Sequence, residues 1–258
     1  MGRFFLSLFY IGIISLSLYL FLFEWKDQSV LAKRIPGETA HYYQLILDKA
    51  HYSTNQLSAG EAVINAPLIE QKPELARGCE VTSLAMLLQT AGIHVGKLEL
   101  AEKIKKDPTP YRVEKDGVHF GNPNVGFVGN MYQKDQPGYG VYHGPLFSLE
   151  RSYLGFRAMD LTGKPFEAVL AQLDQGKPVL VITSTTYEKV PDSEWETWHT
   201  KEGDIKVTKR EHAVLLTGST STKLILNDPL NPTKNIQTDR KAFVEAWQQF
   251  GSQALSYR

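Results

Sequence analysis

The chain has 258 residues, with 28 basic side chains balanced by 28 acidic ones, so its net charge is zero when histidine is neutral. That balance, without a basic cluster, excludes the electrostatic footprint of a nucleic-acid binder. One cysteine excludes an internal disulfide and a multi-thiolate metal site, whereas 42% hydrophobic and 11% aromatic residues suffice for a filled core.

Residues 4–23 form an uncharged, almost wholly apolar run, and about 20 such residues span a bilayer as a helix. Arg3 precedes the run, Glu24, Trp25, Lys26 and Asp27 follow it, and no small-residue cleavage motif closes it. The expectation is an uncleaved signal anchor over residues 1–27, which would make the chain a single-pass cell-membrane protein with its remainder extracytoplasmic. The alternative is a cleaved, secreted form. Residues 28–60 read as a stalk, with a turn at Ile35-Pro36-Gly37 and a short amphipathic stretch around Tyr43, Leu45, Ile46, Leu47 and Ala50. The compact domain is expected over residues 61–258.

Within that domain residues 63–69 read as a strand leading to Gln71. Val81, Leu84, Ala85 and Leu88 then follow the helical i, i+3, i+4, i+7 spacing, and Gly92 stops the pattern. Gly78 offers freedom for a sharp entry, which puts Cys79 on or just before the first helical turn, where unpaired N–H groups and the helix dipole favour a thiolate. Glu80 opposes that effect, so activation of the sulfur demands a basic partner. Without one, Cys79 is a small buried hydrophobe, as free cysteines commonly are.

A second helix is expected over residues 98–106, ended by Asp107-Pro108. Residues 117–144 are rich in glycine and aromatic residues and lack periodicity, and a loop of that length is commonly functional. It reads as one wall of a substrate cleft, with Gly126, Phe127, Tyr139, Gly140 and Tyr142 as binding residues. The competing reading is a surface excursion packed by its own aromatics. Further along come a helix over 146–154, a strand over 156–161, a helix with Pro165 at its first position and Gly176 as its stop, and a buried strand over 178–183. The polar insertion 187–204, carrying Trp195 and Trp198, is a candidate lid.

Residues 211–218 form an apolar strand opened by His212, 219–223 a turn, and 224–228 the returning strand. Folding this hairpin brings Asp228 within about one or two residues of the point opposite His212, where a carboxylate can fix the imidazole tautomer. Asp228-Pro229 also ends the strand, so Asp228 has a second reading as a turn residue. Of the other histidines, His41 and His51 lie in the stalk, His94 in a loop, and His119, His143 and His199 in segments expected to be irregular.

Gln71 followed by Gly78-Cys79-Glu80-Val81-Thr82-Ser83-Leu84-Ala85-Met86 resembles the C39-like cysteine peptidase domains of many Gram-positive bacteria, which belong to the papain-like group. The likeness continues at Gly126-Phe127-Val128-Gly129, Tyr139-Gly140-Val141-Tyr142, His212-Ala213-Val214 and Asn227-Asp228-Pro229. It implies an α+β, papain-like fold in which the Cys79 helix packs on an antiparallel sheet. It also implies Cys79 as nucleophile, His212 as general base and acid, Asp228 as orienter and Gln71 as oxyanion-hole donor, with no metal or organic cofactor. The expected activity is cleavage of a peptide or amide bond in a peptide or protein substrate outside the membrane. Two alternatives stand beside it: a non-catalytic peptide- or wall-binding module on the same fold, and an acyltransferase using the same three residues.

Overall fold

The structure, a computed structural model, describes residues 63–258. The expected membrane anchor over 1–27 and the stalk over 28–60 lie outside the described residues; among those described, no helix is long and apolar enough to cross a membrane.

Residues 63–78 enter the fold without regular structure, so the strand expected over 63–69 does not form. Its polar groups are satisfied one at a time rather than by a ladder. The Ile64 N–H donates to Thr217 O (2.7 Å) and the Ile69 N–H to the Met86 sulfur (3.3 Å). The Asn227 side-chain amide donates to the carbonyls of Ala66 and Pro67 (3.3 and 3.0 Å).

Helix α1 (Cys79–Thr90) starts at the cysteine and stops where Gly92 adopts φ +85°, a left-handed value that glycine accepts without strain. The four-residue spacing suggested one buried stripe, but every residue from Cys79 to Leu88 is buried. A helix that is covered all round lies at the centre of a fold rather than on its surface. Helices α2 (Lys97–Lys103) and α3 (His143–Leu154) pack against α1, and the sheet described below covers it from another side. Helix α2 ends three residues before the expected 106 because Lys106 enters β1 (Lys106–Asp107).

Strands β2 (Arg112–Glu114), β3 (Gly117–His119) and β4 (Phe127–Val128) follow, with β4 parallel to β1. The segment read as irregular thus contributes strands, and its aromatics Phe120, Phe127, Tyr139 and Tyr142 turn inward into the core. After α3 and one 3-10 turn comes β5 (Ala158–Asp160), then α4 (Phe166–Asp174), with Pro165 as its N-cap rather than its first helical residue. Strand β6 (Val179–Ser184) is buried throughout.

The insertion 187–204 is not a lid. It builds β7 (Glu196–Thr200), which pairs with β8 (Gly203–Val207), and β7 joins β3 in a four-stranded sheet ordered β2-β3-β7-β8. Trp198 is buried, its ring 5.3 Å from Phe120 and 5.1 Å from Tyr139. Aromatic contact, not substrate access, accounts for that tryptophan.

The chain closes with β9 (Glu211–Ser219), β10 (Lys223–Asn227), β11 (Ile236–Asp239), α5 (Arg240–Gln249) and β12 (Ala254–Tyr257). The main sheet is ordered β11-β10-β9-β6-β12-β5, and each adjacent pair is antiparallel. Period-two alternation divides its two faces. Leu180, Ile182, Ala213 and Leu215 join the core around α1. Helices α4 and α5 pack on β6 and β9 or β10, with Phe166 and Trp247 ring to ring at 5.1 Å. This is the mixed α/β arrangement, with a cysteine-bearing helix on an antiparallel sheet, that the α+β expectation describes.

Candidate active site

Cys79 sits at the first residue of α1, and the chain reaches it through Gly78. Gly78 has φ −169° and ψ 25°, so left-handed backbone is not what the position uses. Space is: a Cβ there would lie 2.6 Å from Leu75 Cδ1. Cys79 is 8% exposed, and its thiol lies 3.3 Å from Glu80 Oε2, to which it donates. Glu80 in turn accepts the Val141 N–H at Oε1 (2.7 Å).

Glu211 completes this group. One ligand atom each from Cys79, Glu80 and Glu211 lie within 4.8 Å of one another. Glu211 Oε1 is fully buried and has no hydrogen-bond partner. Burial pushes the Glu211 pKa well above the carboxylate range, with the Glu80 charge adding to it, and burial also raises that of Glu80. The Cys79 thiol is pushed well up as well, first by burial and then by the charges of Glu80 and Glu211, while the Ala213 N–H pulls the other way. The helix N-terminus was expected to favour a thiolate; the resting sulfur is instead a protonated thiol, because two carboxyl groups and dehydration outweigh one helix end.

The β9–β10 hairpin joins His212 to Asp228. Leu215 faces Asn227 across it, after a break in register between Ile225 and Leu226, which leaves Asp228 diagonal to His212. His212 Nε2 and Asp228 Oδ1 are 2.8 Å apart, and both side chains are almost fully covered. The same Oδ1 accepts the Leu230 N–H (2.7 Å), and Tyr187 donates its hydroxyl to Oδ2. Burial works to raise the Asp228 pKa, but the hydrogen bond and charge of His212, with Tyr187 and Leu230, hold it below the usual range. Asp228 is therefore an ionised acceptor, not simply the turn residue that its place before Pro229 allowed.

The structure thus brings together His212 with Asp228, and Cys79 with Glu80 and Glu211, on adjoining residues of β9. No hydrogen bond joins Cys79 to His212 among the described residues; the sulfur's side-chain partner is Glu80. The two groups still touch electrically, since the His212 charge acts on Glu80. His212 uses Nε2 for Asp228, which leaves Nδ1 as the ring nitrogen for a proton from sulfur.

Gln71 is buried, and its backbone N–H donates to Pro229 O (2.8 Å), beside Asp228. Its side-chain Nε2 donates to Leu75 O (3.2 Å) and Ala76 O (3.0 Å), so both amide protons brace the turn before Cys79. An oxyanion role for Gln71 requires release of one of those bonds.

Of the residues expected to bind substrate, Phe127 is fully buried and Gly126 lies against the β1 backbone, where a Cβ would come within 2.6 Å of Lys106 C. Neither presents a wall to a ligand. Gly140 packs on Glu80 and Glu211, leaving no room for a Cβ, and Tyr139 and Tyr142 share a hydroxyl–hydroxyl bond of 3.0 Å. Gly140 therefore flanks the acid pair, and the Glu211 charge acts on both tyrosines.

Sequence reasoning missed Glu211 and Tyr187. Glu211 was legible in principle as the carboxylate next to His212 at the start of β9. Tyr187 had no local signal. Tyr187→Phe is expected to cost about 1.5–3 kcal/mol of stability at neutral pH, the range for hydrogen bonds to charged groups, in urea denaturation.

The family model described as "Peptidase_C39 like family" matches residues 63–255. Uncharacterized protein YvpB of Bacillus subtilis (strain 168) is 42% identical over 210 residues, covering 81% of this chain and 80% of that protein. A crystal structure described as a candidate C39-like peptidase from Bacillus anthracis is similar at a TM-score of 0.72 with 46% identity, over 78% of this chain and 98% of that one.

Proposed function

The chain belongs to the Peptidase_C39-like family, and on that premise we propose that it is a thiol-dependent hydrolase cleaving a peptide or amide bond. The observation that carries the reading is the buried 2.8 Å bond between His212 Nε2 and Asp228 Oδ1, on the strand that passes the Cys79 sulfur. Asp228 fixes the ring so that Nδ1 can take a proton.

Catalysis starts from the thiol. Cys79 turns from Glu80 toward His212, whose Nδ1 accepts the S–H proton, and the thiolate attacks the carbonyl carbon. N–H groups of the first turn of α1, unpaired within the helix, stabilise the developing oxyanion; one such donor is typically worth about 2.7–4 kcal/mol. His212 then gives its proton to the leaving amine as the C–N bond breaks, and water cleaves the thioester. We place this domain outside the membrane, anchored by residues 4–23; the uncharged length of that run supports the placement. A cleaved, secreted form is the alternative.

A second reading, a non-catalytic peptide- or wall-binding module, is favoured by one observation: the Cys79 thiol is buried and its pKa is raised. Incubating the full chain in detergent with a degenerate peptide library, and reading new termini by mass spectrometry, separates the two. The hydrolase gives new termini that disappear after iodoacetamide treatment. Termini that survive alkylation, or a library left intact, would overturn the proposal.

A further inference from the structure

Away from the catalytic groups, the four-stranded sheet is held together by a short seam. Strands β3 and β7 run parallel and register only as Val118 with Trp198 and His119 with His199. Trp198 faces the core, and the two histidines, half-buried, are directly opposed with ring centroids 4.9 Å apart. Asp116, in the turn between β2 and β3, lies across both rings. Its Oδ1 is 3.0 Å from His119 Nε2, and its carbonyl oxygen is 3.0 Å from His199 Nε2.

We propose that Asp116, His119 and His199 form a binding site for a divalent transition-metal ion, with Zn2+ as the ion of reference, outside the machinery of amide cleavage. Three features carry this. One ligand atom from each of the three residues already lies within 4.8 Å of the others. Ligands at zinc bond lengths of 2.0–2.2 Å stand about 3.3 Å apart in a tetrahedron, close to the His119–Asp116 separation. His199 Nδ1 is also held by Asp204 Oδ1 at 2.7 Å, a carboxylate–histidine arrangement that directs the lone pair of Nε2 at a metal once Nε2 gives up its proton and its hydrogen bond to the Asp116 carbonyl. Finally, Gly117 leaves the space beside His199 Nε2 open; a Cβ there would be 3.2 Å from that nitrogen.

Two imidazoles and one carboxylate suit zinc, copper or nickel rather than calcium or magnesium. Both rings border a cleft of about 380 Å³ that also takes in Arg112 and Lys201, so a fourth position is open to water or an anionic group. The metal would clip the β2–β3 hairpin to the β7–β8 hairpin across a seam only two residue pairs long. His119 and His199 come from opposite sides of it.

Calorimetric titration of ZnCl2 into the full chain carrying Cys79→Ser tests the proposal, since that change removes the thiol of the Cys79–Glu80–Glu211 group as a competitor. One equivalent binds, His119→Ala and His199→Ala each weaken binding at least about ten-fold, and Asp204→Asn weakens it by about 10–100-fold. Zinc bound equally well by both histidine variants, or not bound before they are made, would overturn it. Cobalt(II) added to the wild-type chain, with Cys79 in place, gives a reading that does not depend on the variants folding. Visible d–d bands without a thiolate charge-transfer band support the site; a thiolate band, or no d–d bands, excludes it.

Discussion

If the chain is the proposed hydrolase, Cys79→Ala is expected to abolish amide-bond cleavage and His212→Ala to lower it by about 10²–10⁴-fold, the span attributed to positioned proton transfer. The two losses have different causes. Alanine at 79 removes the atom that forms the acyl bond, so no thioester forms and iodoacetamide labelling disappears with turnover. Alanine at 212 leaves the sulfur in place, and labelling persists while turnover falls. Asp228 provides the third comparison. Asparagine there still offers an oxygen to the His212 ring, as in Cys–His–Asn enzymes, whereas alanine offers none. Asp228→Asn therefore retains more activity than Asp228→Ala. Because Asp228 also accepts from Leu230 and Tyr187, each variant is checked by urea denaturation, so that lost folding is not read as lost chemistry. Equal turnover by wild type and Cys79→Ala would end the hydrolase reading.

The parts of this site that were legible in the sequence were those carried by local signals. The α1 spacing and its glycine stop placed Cys79 at a helix start, and the turn at 219–223 placed Asp228 near His212. Asp228 stays within reach of His212 in spite of the break in register at Ile225 and Leu226, because displacement by one residue still leaves a diagonal contact. The illegible parts arise from pairings distant in sequence. Strand β3 is only three residues long and finds β7 some eighty residues later, so neither His119 nor His199 had any periodicity to mark it as a strand residue. His143 was likewise expected in an irregular segment, yet it opens α3 and its Nδ1 lies 2.9 Å from Asp160 Oδ2. The aromatics of 117–144 were read as cleft walls because glycine and aromatic residues mark both clefts and cores; burial of Phe120 and Phe127 decides for the core. The Glu80–Glu211 contact crosses from a helix start to a strand start, and only packing α1 onto β9 reveals it.

That contact leads to the second large effect. Glu211→Gln is expected to lower the Cys79 thiol pKa measured at alkaline pH, where Glu211 would otherwise carry its charge, and alkylation there speeds up about ten-fold for every pH unit by which that pKa falls, with little change at neutral pH. Burial remains the leading cause of the raised thiol pKa, and the Glu80 charge still opposes the thiolate, so the value stays above that of a free cysteine. What disappears is the Glu211 charge as pH rises. The same substitution changes how stability depends on pH. Glu211 holds its proton in the folded chain to a pH well above its unfolded value of about 4.5, so its favourable contribution is complete below that value. It is lost as pH climbs through the raised folded pKa, where a second negative charge must form beside Glu80. Glutamine carries no such charge. The variant and the wild type should therefore respond alike to urea near pH 4, and the variant should gain relative stability as pH rises above about 5. Iodoacetamide rates measured across the same pH range test the thiol. An unchanged rate profile together with parallel stability curves would show that Glu211 does not hold Cys79 in its protonated resting form, and the buried acid pair would then be packing alone.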